Sequence, residues 1–306
     1  MDGSGRHGRG VAAAASAITS VTLTGTGSPH PTPGRAGARA LVRHGEIALL
    51  FDAGRGTVIR LAEAGVSPLA LDAVFVTHAH SDHLVDLADV AMTRWILQQV
   101  RETGPLPIVA AEGCAARFVR RMLEPYDDDI AVRIAHVQAA APRIDLRAFT
   151  APAAPALVWR SSCGTVSVEA VAVHHEPVVD AVAYRITTPN GVVVISGDTR
   201  VCAEVEALAA GADVLVHEAC RSSALAAAVK GSVFEKIFSY HADTVALGGL
   251  AKRAAVRHLL LTHLIPSPTN PEQEEAFVLD VRKGGYDGRV SVGRDGMSAE
   301  IGGRLS

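Results

Sequence analysis

The chain has 306 residues, of which 48% are hydrophobic, 20% charged and 4% aromatic, a balance that excludes a disordered or fibrous protein. The net charge of −3 provides no broad cationic surface for a polyphosphate backbone. The four cysteines are dispersed and form no C-x-x-C pair, which excludes a zinc knuckle and is typical of thiols in a reducing compartment. The 13 histidines are the unusual part of the composition, because they equal Phe, Tyr and Trp combined.

The order of apolar runs along the chain predicts alternating strands and helices. Residues 1–17 combine a basic start with a short Ala-rich run, for which we expect a flexible N-terminal arm, with a secretion signal as the alternative. Strands are predicted at Ser20–Thr24, Ala40–Val42, Ile47–Phe51, Ala73–Thr77, Ile108–Ala110, Val166–Val173, Ala181–Thr187, Val192–Ser196, Val214–Glu218, His258–Thr262 and Val290–Val292. Helices are predicted at Thr57–Ala64, Leu84–Val100, Gly113–Leu123, Arg200–Ala209, Ser223–Phe238, Ala242–Ala254 and Pro271–Lys283.

This interleaved order predicts a layered α/β protein, with residues 18–306 forming a single domain. The Ala/Pro-rich stretch Ala139–Trp159 has no clear period, and we interpret it as an extended loop or hairpin. No run of about 18 apolar residues occurs, so we do not expect a membrane span.

The segment VFVTHAHSDHLVDL carries the strongest chemical signal. His78, His80, Asp82 and His83 follow directly on an apolar strand and lead into a helix. In an extended segment His78 and His80 project to the same side, and Asp82 and His83 lie on the next turn, close enough to serve a second ion. Imidazole and carboxylate together suit Zn²⁺, and less selectively Mn²⁺ or Fe²⁺. The alternative is a set of surface histidines in a loop.

HAHSDH resembles the H-x-H-x-D-H signature of the metallo-β-lactamase fold superfamily. The flanking segments resemble, more narrowly, its ribonuclease Z and arylsulfatase-like branch; in order they are LTGTGSP (23–29), LLFDAGRGT (49–57), VAYRIT (182–187), VVISGDTR (193–200), VHEA (216–219) and LLLTHLIP (259–266). The resemblance covers residues 19 to about 302 and implies an α/β fold built as a four-layer αββα sandwich.

The resemblance also implies a site for two metal ions. One ion would be held by His78, His80 and His175, the other by Asp82, His83 and His263, and Asp198 would bridge them. The spacing to Tyr184 favours His175 over its neighbour His174, although the sequence leaves His174 open. Asp52 resembles an aspartate that orients a metal-binding loop rather than a ligand.

Two divalent ions, expected to be Zn²⁺ with Mn²⁺ or Fe²⁺ as alternatives, predict hydrolysis by a bridging hydroxide. A poor leaving group also needs a general acid, and the resemblance assigns this role to His241 held by Glu218. We count both with Asp82 as the catalytic residues. Ribonuclease Z typically has His-Ser-Thr where this chain has His241, Ala242 and Asp243, so His241 could instead be a histidine at a helix start.

For the substrate we predict a small phosphodiester or related ester. Bacterial ribonuclease Z carries an RNA-gripping arm between the residues that correspond to His175 and Asp198, but here these lie only 23 positions apart. With the charge of −3, this disfavours structured RNA as a partner. Arylsulfatase-like or lactonase-like hydrolysis, ribonuclease Z-type RNA processing and a non-catalytic metal-binding sensor remain the alternatives. We expect a cytoplasmic protein, and a homodimer stays open because related proteins are commonly dimers.

Further residues could line a substrate pocket. Phe234, Phe238 and Tyr240 lie where a lid would be, and we expect them to contact an apolar part of the substrate. Trp95 and Met92 are more typical of the core. Candidate anion contacts, which solvated helix faces explain equally well, are Arg94, Arg117, Arg120 and Arg121.

Overall fold

Two seven-stranded sheets form the centre of the protein. The structure is a computed structural model that describes residues 17–137 and 140–302. The predicted N-terminal arm, apart from Ala17, lies outside the described residues. No described helix combines the length and the apolar character needed to cross a membrane.

The strands are β1 (Thr19–Gly25), β2 (Arg39–His44), β3 (Ile47–Phe51), β4 (Ala73–Phe75), β5 (Leu106–Ala111), β6 (Ile144–Phe149), β7 (Ala156–Arg160), β8 (Ser167–Ala172), β9 (Val182–Thr188), β10 (Gly191–Ile195), β11 (Val214–Cys220), β12 (His258–Ile265), β13 (Arg289–Val292) and β14 (Ser298–Ile301). The helices are α1 (Thr57–Glu63), α2 (Ser81–Leu84), α3 (Leu87–Leu97), α4 (Cys114–Arg121), α5 (Asp127–Val137), α6 (Ala203–Leu208), α7 (Ser222–Val229), α8 (Val233–Phe238), α9 (Thr244–Arg253) and α10 (Pro271–Lys283).

The first sheet has the order β14-β1-β2-β3-β4-β5-β6, and the second has the order β13-β12-β11-β10-β9-β8-β7. Apolar side chains of both sheets share one buried cluster, in which the rings of Phe51 and Phe75 stack at 4.7 Å and Tyr184 packs edge-on against Phe75 at 5.4 Å. Two further clusters fill the outer faces, one beneath α1 and α3, the other beneath α6, α9 and α10. The four-layer αββα sandwich is therefore confirmed.

The predicted loop or hairpin at Ala139–Trp159 is wrong. This stretch contains β6 and β7, which pair in different sheets: β6 runs parallel to β5, whereas β7 runs antiparallel to β8. Both strands lie at sheet edges with most of their side chains at least partly exposed, so they lack the apolar run that marks a buried strand. The sequence also missed α5 and β14.

The predicted helix Ser223–Phe238 is two helices, α7 and α8. Gly231 separates them with φ of 74°, a left-handed conformation that ends a helix and that glycine adopts without steric cost. The Glu235 carboxylate then accepts a hydrogen bond from the Gly231 N–H at 2.7 Å, which fixes the turn between the two helices.

Strand direction gathers the polar residues at one edge of the sandwich. Strands β3 to β6 are mutually parallel in the first sheet, and β10 to β13 in the second. Asp52 follows β3, His78 lies just beyond β4, and Asp198 lies just beyond β10. Because the carboxyl ends of neighbouring parallel strands meet at the same edge, these side chains converge there.

Candidate active site

The first cluster of ligand atoms joins the loop after β4 to the loop before β9. His78 Nε2 lies 3.1 Å from His80 Nδ1, and His175 Nε2 lies 3.1 Å from the same atom. Asp198 Oδ2 is 3.9 Å from both His78 Nε2 and His175 Nε2. One potential ligand atom from each of these four residues lies within 4.8 Å of the others, a grouping that could hold one metal ion.

Asp82, His83 and His263 form a second cluster beside the first. Asp82 Oδ2 lies 3.3 Å from His263 Nε2 and 3.6 Å from His83 Nε2. Asp198 faces this cluster with both oxygens, since Oδ1 is 3.4 Å from His83 Nε2 and Oδ2 is 3.2 Å from His263 Nε2. Asp198 thus lies between the two clusters, where a bridging carboxylate would be.

Bound cations would satisfy the donor atoms of this site better than hydrogen bonds among the side chains do. His83 Nε2 is buried and makes no hydrogen bond within residues 17–137 and 140–302, although it faces the carboxylates of Asp82 and Asp198. A buried imidazole nitrogen without a partner is costly, and a metal ion would use its lone pair. Five imidazoles and two carboxylates are a donor set that suits two divalent ions.

Charges in the cluster shift the pKa values of its members in opposite directions. Burial, with His83 nearby, holds the pKa of His78 well below its usual range. Burial also opposes the charged form of His83, but the carboxylates of Asp198 and Asp52 outweigh it and hold the pKa of His83 well above its usual range. Burial likewise opposes the charged form of Asp198, yet His263 and His83 keep its pKa well below its usual range.

Asp52 orients a residue of the second cluster without belonging to either cluster, as expected from the sequence. Its Oδ1 accepts a hydrogen bond from the Thr77 N–H at 2.8 Å, and its Oδ2 accepts one from Thr77 Oγ1 at 2.7 Å. The same Oδ2 lies 2.7 Å from His83 Nδ1 and therefore fixes the ring that presents Nε2 to the cluster. Asp52 has φ of 63° and His263 has φ of 43°, so left-handed backbone, unusual outside glycine, occurs at two points of the site.

Gly54 allows the loop after β3 to approach the histidine motif. A Cβ at this position would overlap the backbone oxygen of Asp82 and the backbone of Gly37. The Ala53 N–H, next to Gly54, donates a hydrogen bond of 2.7 Å to the carbonyl of His83. Glycine is therefore required here by close backbone contact rather than by φ.

Glu218 and His241 form a pair at the edge of the clusters. Glu218 is buried in β11, and its Oε1 lies 2.9 Å from His241 Nδ1 while accepting a hydrogen bond from the Thr199 N–H at 3.0 Å. The His241 ring stacks on His263 at 5.5 Å with an interplanar angle of 18°, and its centroid is 5.1 Å from that of His175. His241 therefore borders ligand residues of both clusters. Burial lowers its pKa, but Glu218 outweighs that effect and raises the pKa of His241 to about 9.

Comparison with known proteins identifies the family. The Metallo-beta-lactamase superfamily profile matches residues 34–228, more than half of the chain. The chain belongs to the metallo-β-lactamase superfamily. A ribonuclease Z of Mycobacterium bovis is 37% identical over 271 residues, which cover 88% of this chain and 93% of that protein.

Solved structures of this superfamily share the fold. The metallo-β-lactamase fold protein YhfI from Bacillus subtilis aligns with a TM-score of 0.70 at 21% identity, covering 92% of this chain and 99% of that one. The short form of human tRNase Z aligns with a TM-score of 0.64 at 20% identity, with coverage of 92% and 99%. The superfamily match and the relatives named ribonuclease Z make this chain a metal-dependent hydrolase of ester bonds.

In this metallo-β-lactamase fold the two adjacent histidines take different positions. His175 lies in the first cluster, and its Nδ1 is 3.3 Å from the carbonyl oxygen of Tyr240. His174 points away from the cluster, with Nε2 3.2 Å from Glu204 Oε1 and 40% of its side chain exposed. The geometry therefore places His175, and not His174, among the potential ligands of the first cluster.

Arg94 is a wrong candidate for an anion contact. It is buried, and its guanidinium donates hydrogen bonds to the carbonyls of Pro68, Leu69, Leu71 and Gly104. Trp95 and Met92 are core residues of α3, as expected, and Trp95 Nε1 donates to the Ala140 carbonyl at 2.7 Å.

The other three arginines lie on α4 and its C-terminal end. Arg120 and Arg121 are exposed and pair with Glu112 and Glu124. Arg117 is exposed, and its Nη2 donates to Cys114 Sγ at 3.0 Å. Among the described residues it has no carboxylate within ion-pair distance, so of the three exposed arginines Arg117 is the one without an ion-pair partner.

Of the predicted lid residues, Phe238 and Tyr240 lie beside the Glu218–His241 pair, and Phe234 packs against Phe238. Phe234 is 41% exposed on α8, its ring is 6.0 Å from that of Phe238, and the ring of Tyr240 is 6.3 Å from that of His175. The His241 N–H donates to the Phe238 carbonyl at 3.3 Å, so the end of α8 is fixed next to the pair. The substrate contact expected of these aromatic residues stays a prediction.

Asp180 is a residue that the sequence analysis missed. It is buried before β9, and its Oδ2 accepts hydrogen bonds from the N–H groups of Cys114 at 2.7 Å and Ala115 at 3.2 Å. These bonds attach the start of α4 to the loop that carries His175. A lone aspartate after two valines gives no sequence signal of a contact so distant in the chain.

Proposed function

We propose that this metal-dependent hydrolase is an endonuclease of the ribonuclease Z type, which cleaves a phosphodiester bond in RNA. The buried Glu218–His241 pair beside the two ligand clusters carries the proposal, because it offers an oriented proton donor next to a site suited to two cations. A donor of this kind is needed when the leaving group is a ribose oxygen, which departs poorly as an anion.

We propose Zn²⁺ as the metal, since imidazole and carboxylate donors in this number suit it best. His78, His80 and His175 would hold one ion, Asp82, His83 and His263 the other, and Asp198 both. Two bound ions would activate water for attack and neutralise the charge that develops on the phosphoryl oxygens.

The chain's own residues position these groups and move the proton. Asp52 accepts from Thr77 and fixes the His83 ring, so the second cluster is held before any ion binds. Glu218 accepts a hydrogen bond from the Nδ1–H of His241, so that Nε2 faces the leaving oxygen and donates its proton as the P–O bond breaks. The Thr199 N–H holds the Glu218 carboxylate in that orientation.

The comparisons support RNA rather than the small ester predicted from the sequence. Relatives that the chain matches over most of their length, among them those of Mycobacterium bovis and Mycolicibacterium paratuberculosis, are named ribonuclease Z. One feature favours the small phosphodiester as a second candidate. Strands β9 and β10, which lie between His175 and Asp198, are joined by the two residues Pro189 and Asn190, so this position carries no arm.

A direct assay separates the two candidates. The purified chain, reconstituted with Zn²⁺, would be given a precursor transfer RNA transcript and, separately, bis(p-nitrophenyl) phosphate, with p-nitrophenyl sulfate and a simple lactone as further substrates. We expect cleavage of the transcript at its 3′ side, and loss of that cleavage in Asp198→Ala. Turnover of bis(p-nitrophenyl) phosphate without any cleavage of RNA would overturn the proposal in favour of the small phosphodiester. Binding of metal without turnover of any of these substrates would favour a sensor.

A further inference from the structure

Two cavities lie near the metal centre, and each is lined by a residue next to proposed ligands rather than by a ligand itself. One, of about 450 Å³, is lined by His241 and by Arg200 and Phe238. The other, of about 440 Å³, is lined by Ala79, which lies between two of the proposed ligands, and by residues of α4. Both volumes fall within the roughly 300–1,000 Å³ typical of small-molecule sites.

The cavity beside His241 pairs a guanidinium with an aromatic ring. Arg200 is half-exposed, and its nearest carboxylate is the exposed Glu176, 3.5 Å away. An ion pair this exposed stabilises little, because water screens both charges, so a phosphate could replace Glu176 at little cost. Phe238 contributes the ring, and the ring of Phe234 lies 6.0 Å from it.

The cavity beside Ala79 also combines a guanidinium with an aromatic ring. Arg117 and Phe118 are neighbours on α4, and Arg117 has no carboxylate partner among the described residues. Three acidic side chains line the cavities, and each is already engaged: Glu124 pairs with Arg121, Glu235 accepts from the Gly231 N–H, and Asp243 accepts four hydrogen bonds at the starts of α7 and α9. None of the three would repel a phosphate as strongly as a carboxylate without a partner.

Asp180 fixes the second cavity relative to the centre. Through its bonds to the N–H groups of Cys114 and Ala115 it attaches α4 to the loop that carries His175. Arg117 therefore sits on a helix whose start is held near a proposed metal ligand, although the two lie far apart in the sequence.

We infer that single-stranded RNA crosses the metal centre with one nucleotide in each cavity. The nucleotide that departs with the leaving oxygen lies against Phe238 and Arg200, because His241, the proton donor, lines that cavity. The nucleotide that keeps the phosphate lies against Phe118 and Arg117. Aromatic rings stack on any base, and guanidinium groups contact the flanking phosphates or stack on bases, which matches how proteins hold single strands. This inference rests on the proposed function and specifies the residues that bind its substrate.

The reaction in this arrangement balances without a further reagent. A water oxygen forms a bond to phosphorus, the P–O bond to the departing nucleotide breaks, and that oxygen takes the proton of His241. The proton lost by the attacking water restores the donor, directly or through solvent.

Paired variants test the inference. Arg117→Ala removes the unpaired arginine, and Arg120→Ala makes the same change on the same helix outside the cavity. Phe238→Ala removes the ring beside His241, and Val233→Ala truncates an exposed side chain at the other end of α8. Each variant would be assayed on a single-stranded RNA and on bis(p-nitrophenyl) phosphate, after its metal content and melting temperature are shown to match the wild type.

We expect the ratio of kcat/KM on RNA to kcat/KM on bis(p-nitrophenyl) phosphate to fall about tenfold in Arg117→Ala and in Phe238→Ala, and to stay within about twofold in the controls. If the wild type cleaves RNA but all four variants keep this ratio, the inference is overturned while the proposed function stands.

Binding provides a readout that does not depend on catalysis. The affinity of the Zn²⁺-loaded protein for a fluorescent single-stranded RNA, measured by anisotropy at 4 °C before cleavage is detectable, should fall about tenfold in Arg117→Ala and Phe238→Ala but not in their controls. Equal affinities for all variants, or no binding by the wild type, would overturn the inference. Selective weakening without any cleavage of RNA would support the two subsites and count against the proposed function alone.

Discussion

The role of His241 can be tested through the leaving group. His241→Ala removes a side chain that lies 2.9 Å from the buried carboxylate of Glu218 and borders both ligand clusters. A positioned general acid contributes about 10²–10⁴-fold, or about 2.7–5.4 kcal/mol of barrier at 1.36 kcal/mol per tenfold. We therefore expect kcat on an RNA dinucleotide or longer RNA to fall by that factor. Turnover of bis(p-nitrophenyl) phosphate should fall less than about tenfold, because p-nitrophenolate departs without a proton.

The control residue is His174, which pairs with Glu204 and points away from the ligand clusters. His174→Ala removes a contact of 3.2 Å to Glu204 and should leave both rates within about twofold of the wild type. Glu218→Gln keeps the size and the acceptor for the Thr199 N–H but removes the charge, so its effect on RNA cleavage should lie between those of the two alanine variants. Equal losses on both substrates in His241→Ala would indicate a disturbed metal site, and unchanged RNA cleavage would refute the assignment of the proton donor.

Three other predictions concern metal content and stability. Asp198→Ala should retain less than one equivalent of metal per chain by elemental analysis, because this carboxylate faces both clusters; two retained equivalents would contradict the bridging position. Asp243→Ala should lower the free energy of unfolding in urea by about 1–3 kcal/mol, since Asp243 caps α9 and also binds Ser222 and Ser223, and an unchanged midpoint would refute this. Burial, with Arg289, lowers the pKa of His258 to about 4, so below its usual pKa the unfolded chain binds a proton that the folded chain does not. Between about pH 7.5 and pH 5 the melting temperature should therefore fall more in the wild type than in His258→Gln, and parallel curves would contradict it.

Much of the fold was predictable because its central strands are buried on both faces. Continuous apolar runs placed β3 and β11 within a few residues, and the predicted helix Pro271–Lys283 has the bounds of α10, whose start the structure shows capped by Asn270. The edge strands β6 and β7 were missed because each buries few side chains, so pairing with a neighbour rather than burial defines them.

The ligand clusters were predictable for a different reason. Four of the seven predicted ligands lie within six consecutive residues, His175 and Asp198 follow β8 and β10, and His263 lies near the end of β12. Contacts made across the fold were not predictable. Arg94 has the same sequence character as Arg117, yet the first is enclosed by four carbonyls and the second is free, and only tertiary packing distinguishes them.

The distribution of the potential ligands between the two sheets has a mechanical consequence. His78, His80, Asp82 and His83 follow β4 of the first sheet, whereas His175, Asp198 and His263 belong to the second. Each bound ion would therefore link the two sheets, and it would stabilise only the folded state in which they are packed together. At a free metal concentration of about a thousand times Kd, this linkage is worth about 4 kcal/mol per ion. Loss of metal would then weaken the packing between the two sheets first at the edge that carries the ligand clusters. The resistance of this edge to proteolysis would therefore report metal occupancy.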